Sequence, residues 1–107
     1  MTTTLHQRLE ALENANAIRL ARAQITRDIH AAGLQESRLA AVEVLLDPPG
    51  CCESMAVYDL LRACQRVGRG HAARMCARAR VPERKPLGEL TERQRDAVAK
   101  RLRGFGR

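Results

Sequence analysis

The sequence predicts an all-α fold of about five helices, the first much the longest. Three observations carry that reading. Apolar residues recur at steps of three and four through most of the chain, as in Ile18, Ala21, Ile25 and Ile29. Helix stops stand at Gly33, at Asp47-Pro48-Pro49-Gly50 and at Val81-Pro82. No segment alternates apolar and polar residues as a half-buried strand would.

The elements follow in order. Thr4 reads as an N-cap with Gln7 as its capping-box partner, and Leu5, Leu9 and Leu12 open an apolar stripe that Ile18, Ala21, Ile25 and Ile29 extend. A helix over 5–32 would be about 42 Å long, so its first turns should project beyond a domain of this size. Glu36–Leu46 reads as a second helix with Leu39, Val42, Leu45 and Leu46 apolar. Ser54 reads as the cap of a third over Met55–Gln65, with Val57, Leu60, Leu61 and Cys64 inward. The turn Arg66-Val67-Gly68-Arg69-Gly70 leads into a fourth, His71–Arg80, with Ala72, Met75, Cys76 and Ala79 inward. After a loop over 83–90, Thr91 and Gln94 form a capping box for a fifth helix that ends at Gly104.

Composition narrows the function. The 107 residues are 45% hydrophobic and 29% charged, which is globular rather than disordered. No apolar run is long enough to span a membrane, and the first residues do not read as a secretion signal. With no Trp, one Tyr and one Phe, stacking of single-stranded bases on aromatics is disfavoured. The four cysteines match no zinc spacing and read as reduced thiols, Cys64 and Cys76 in core positions. No metal or cofactor is expected. The net charge is +7 and its distribution is uneven. Residues 1–32 carry net +1, residues 33–61 net −4 and residues 62–107 net +10. All basic residues but Lys85 and Lys100 are arginines, whose planar forks match phosphate oxygens. A polyanion is the partner this balance implies.

The candidate site is the turn Arg66–His71 and the helix it opens. Free N–H groups at a helix N-terminus form an anion site, and Gly68 and Gly70 let a phosphate approach without a Cβ in the way. Arg66, Arg69 and Arg74 flank it, and His71 can donate to a phosphate oxygen. Arg84 and Lys85, and a helix face with Arg93, Lys100 and Arg103, could extend the surface. Arg19 and Arg22 on the first helix offer a second basic point, so that two regions could clamp a bent duplex. No carboxylate or nucleophile stands near His71 in sequence, so no enzyme is expected.

These residues resemble the actinobacterial integration host factor family, from about Asn16 to Phe105. The carriers are Arg19-Leu-Ala-Arg-Ala-Gln-Ile, Met55-Ala-Val-Tyr-Asp-Leu-Leu-Arg-Ala, Arg66-Val-Gly-Arg-Gly-His-Ala and Arg93-Gln-Arg, in the family's order and spacing. The resemblance implies a long N-terminal helix, residues 1–33, followed by a helix-two-turn-helix DNA-binding domain, residues 34–107. It implies a cytoplasmic, nucleoid-associated protein that binds and bends double-stranded DNA with little sequence preference. It also implies support of site-specific recombination, with a phage integrase complex as a partner. The phosphate-binding turn maps onto Arg66, Gly68, Arg69, Gly70 and His71, and the first-helix contacts onto Arg19 and Arg22. Where the family carries an arginine run and Gly-Leu-Gly, this chain reads Arg84-Lys85-Pro86-Leu87-Gly88-Glu89-Leu90-Thr91. A monomer is the expected form. The other classes open to this sequence are an RNA- or ribosome-associated helical protein and a protein-interaction adaptor using residues 33–61 and the first helix.

Overall fold

The computed structural model describes residues 2–105 and is all-helical. Its helices are α1 (Thr2–Ala31), α2 (Leu34–Leu46), α3 (Val57–Ala63), α4 (Arg69–Ala79) and α5 (Glu92–Gly104). Single 3-10 turns stand at Gly50–Cys52 and Leu87–Glu89. The one β pairing among the described residues is an isolated antiparallel bridge between Ala56 and Pro86. α5 lies against α2 and α4, and α3 against α4. Leu45, Leu60, Leu61, Leu87, Leu102, Val57 and Val98 fill the centre and are fully buried.

α1 is helical from Thr2, so Thr4 lies inside the helix and is not its cap. Side chains 5–21 are all exposed; burial begins at Arg22 and is complete at Ile29. The two apolar stripes expected to be continuous lie on different faces. The step from Leu12 to Ile18 is six residues, which rotates the face by about 120° at 100° per residue. Only the second stripe meets the core.

α3 is shorter than the sequence suggests, and Ser54 does not cap it. The chain before it is extended, with Ala56 at φ −66° and ψ 140°. It pairs with the loop over 83–87: Val57 N–H donates to Lys85 O, Tyr58 N–H to Glu83 O and Leu87 N–H to Met55 O, all near 3 Å. Backbone carbonyls thus satisfy the first N–H groups of α3, where a side-chain cap would otherwise be needed. Thr91 and Gln94 do form the expected capping box on α5.

α3 and α4 are joined by two successive turns. Cys64 N–H donates to Leu61 O at 3.2 Å, and Val67 N–H to Cys64 O at 3.3 Å. Gln65 fixes this segment to the α1–α2 junction. Its N–H donates to the buried Ser37 Oγ at 3.1 Å, and its Nε2 donates to His30 O and Ala32 O. α4 ends in a Schellman motif, with Val81 N–H on Cys76 O and Arg80 N–H on Ala77 O. Arg80 is left-handed there, at φ 57°.

Candidate nucleic-acid interface

The anchored turn delivers a helix N-terminus with nothing on it. Gly68 is the N-cap of α4, and no side chain caps the helix. The first bond across that end runs from Ala72 N–H to Gly68 O at 2.9 Å. The N–H groups of Arg69, Gly70 and His71 therefore face outward without a helical acceptor. α4 also has no acidic residue in its first turn, whereas α2 carries Glu36, α3 Asp59 and α5 Glu92. A helix start that lacks both cap and carboxylate holds an uncompensated positive dipole end.

The glycines do not serve the backbone. Gly68 has φ −81° and ψ −179°, which any residue adopts, and a Cβ there would meet nothing within 4 Å. What Gly68 leaves is open space over the N–H groups. Gly70 carries the Arg74 guanidinium: a Cβ on it would stand 3.8 Å from Arg74 Nη1. Arg74 folds back toward the start of α4 and donates from Nη2 to His71 Nδ1 at 3.0 Å. A guanidinium cannot accept, so in this arrangement the His71 proton sits on Nε2, as a donor. The ring also makes an edge contact with Phe105, centroids 5.1 Å apart.

Charge is concentrated in the same stretch of chain. Arg66 is exposed and left-handed, at φ 65°, and Arg69 and Arg74 are exposed as well. Among the described residues, none of the three has a carboxylate within 4 Å. Three exposed arginines and a histidine donor thus flank in sequence the three outward N–H groups of an uncapped helix start. The chemistry is that of an anion cradle.

The other expected contacts are distributed differently. Arg84 and Lys85 lie beside the start of α3, on the far side of that helix from the two turns. Arg84 sits over the Tyr58 ring at 5.7 Å and 3.6 Å from Asp59, an exposed and therefore weak pair. Lys85 donates to Gln94 Oε1 at 3.0 Å. Arg19 is exposed on α1, but Arg22 is engaged inside the fold, with Nε on Cys51 O at 3.1 Å and Nη2 on Ser54 Oγ. Arg22 docks α1 onto the 3-10 turn at 50–52, with part of its fork left over. Arg93 is exposed at the start of α5. Arg103 is exposed and lines a small hollow with Gln35, Arg38 and Leu39 of α2. Lys100 instead lines an open groove of about 720 Å³ between α4 and α5, with His71, Arg78, Arg101 and Phe105. Arg78 and Arg101 were missed in the sequence. The spacing of seven from His71 to Arg78, two turns of one face, was the available signal.

The cysteines stay out of this surface. Cys52, Cys64 and Cys76 are buried, and burial pushes each thiol up to about 11. Cys51 is half-buried, its Sγ 3.8 Å from that of Cys52. No group of three or more His, Cys, Asp or Glu among the described residues is placed to hold a metal ion. No helix among them is long and apolar enough to cross a membrane.

No protein-family model matches the sequence, and no curated protein does either. A solved structure of sIHF bound to an 8-base-pair palindromic DNA is similar to this chain, with TM-score 0.66 and 22% identity. The match covers 84% of this chain and 98% of that one. The likeness establishes a shared fold over the matched part of the chain.

Proposed function

We propose that this protein is a non-enzymatic, largely sequence-independent binder of double-stranded DNA. The observation that carries the reading is the bare start of α4, uncapped, free of acid and flanked by Arg66, Arg69, His71 and Arg74. Its fold is shared with a protein solved on a DNA duplex, which supports the same ligand here. The α4 N–H groups and Arg69 hold one phosphate, and Arg66 and Arg74 hold its neighbours. Such contacts fix position on the duplex and carry no sequence information. Arg19 on α1 and Arg84 beside α3 supply separated basic points, so a duplex touching them bends toward the protein. Bending costs several kcal/mol, which the added phosphate contacts offset. The resemblance to the actinobacterial integration host factor family further implies compaction of the nucleoid and support of site-specific recombination with a phage integrase.

The test is a titration of duplex DNA at several salt concentrations. With three to five phosphates engaged, log K should fall against log salt with a slope of about −2.7 to −4.5. Arg69→Ala should weaken binding about equally for unrelated duplexes and flatten the slope by about one. Unchanged affinity in that variant removes the α4 start from the interface. Tighter binding to structured RNA than to duplex DNA overturns the choice of nucleic acid.

A further inference from the structure

The N-terminal half of α1 carries an apolar face that the rest of the chain does not cover. Leu5, Leu9, Leu12 and Leu20 are 64%, 51%, 61% and 69% exposed. With Asn16 they fall within about 80° of arc at 100° per residue. The face that meets the core, with Arg22, Ile25 and Ile29, is centred about 150° away. The leucine stripe therefore points away from the chain's own core along its whole length.

The residues beside the stripe identify its occupant. In two parallel helices in register, Leu5 and Leu12 take d positions and Leu9 and Asn16 take a positions. Arg8 then stands at g and Glu13 at the following e, the pair that meets across a parallel seam. Neither has an ion-pair partner within the chain among the described residues, whereas His6, at the preceding e position, pairs with Glu10 of its own helix at 3.0 Å. A single Asn at an a position is a device that fixes register and a two-stranded state.

We infer that α1 pairs, parallel and in register, with α1 of a second copy of this chain through Leu5, Leu9, Leu12 and Asn16. The pairing replaces the expectation of a monomer and does not rest on the nucleic-acid reading. The seam spans two heptads and buries less than the roughly 1,200 Å² of a standard interface. Self-association is therefore weak in dilute solution and rises with local concentration. Because α1 is already helical, pairing does not have to offset helix nucleation.

Cross-linking reads such a weak pair. Cys51, the half-buried thiol, is replaced by Ser, and Asn16→Cys is compared with Gln7→Cys on the opposite face under mild oxidation. A disulfide between copies should form about tenfold faster at position 16, where the seam raises the effective concentration. Adding Leu9→Glu should remove the difference. Arg8→Glu should slow the reaction, and Arg8→Glu with Glu13→Arg should restore it. These side chains touch no core residue, so the thermal melts of all variants should match. Equal rates at positions 7 and 16, or no response to Leu9→Glu, overturn the proposal, including the case where the stripe serves a different protein. Sedimentation that stays at 11.9 kDa up to about 1 mM also overturns it.

Discussion

Arg66 and Arg80 hold the same unfavourable backbone at opposite ends of α4, and replacing each by Gly separates strain from binding. Their φ values are 65° and 57°, where a side chain with a Cβ costs about 1–2 kcal/mol. Glycine removes that cost but loses about 0.5–1 kcal/mol to the freedom of the unfolded chain. Each substitution should therefore stabilise by about 0.5–1 kcal/mol, raising Tm by about 2–6 °C in a domain of this size. Binding should split the pair. Arg66 stands in the turn before the bare helix start, and Arg80 lies an 11-residue helix away, about 16 Å. That exceeds the roughly 8 Å screening length at physiological salt. Arg66→Gly should lose one phosphate contact, flattening the salt slope by about 0.9 and weakening binding, whereas Arg80→Gly should leave both nearly unchanged. Calorimetric melts and salt-dependent titrations of the two proteins read both quantities. Equal loss of affinity in both would mean that net charge, rather than the α4 start, sets binding. No gain in Tm for either would refute the strain argument.

The anchoring of the turns makes a second stability prediction. Ser37→Ala removes the buried acceptor of the Gln65 N–H, and leaving that donor unpaired should cost about 1–2 kcal/mol. The denaturation midpoint should fall with the m-value unchanged. A third concerns alkaline pH. The Cys64 thiol is held up to about 11 by burial, so the folded state keeps its proton where the unfolded chain loses it. Stability from this group is full below about pH 9 and is lost as pH rises through 11, by about 2–3 kcal/mol in all. Melts between pH 8 and 10.5 should show the decline, and Cys64→Ala should make it shallower; an identical slope would mean another group titrates.

The start of α5 was legible because that helix supplied its own signals. Thr91 and Gln94 cap α5 as their spacing requires, because both partners lie within one turn. The start of α3 was not legible, because its first N–H groups are satisfied by carbonyls of Lys85 and Glu83, some 25 residues away in sequence. A local cap signal at Ser54 cannot compete with that pairing, and the Ser54 hydroxyl accepts from Arg22 instead. The α1 stripe was misjudged for a different reason. Steps of three and four hold within each half, and a single step of six between Leu12 and Ile18 moves the second half to another face.

For the candidate site, the sequence names residue types and positions but not which side chains the fold already engages. Arg22 and Arg69 each have basic neighbours three and five residues away, and the sequence does not tell which of the two guanidiniums is already engaged. One is held by Cys51 and Ser54 and the other has no carboxylate near it. What separates them is whether the fold brings an acceptor to the guanidinium, a long-range property. At Arg22 the acceptors come from the Cys51–Ser54 segment, which this chain places after Pro48-Pro49-Gly50. At α4 the two turns end in a glycine without a side chain, so no cap forms, and the positive end of the helix stays open for a ligand that brings its own negative charge.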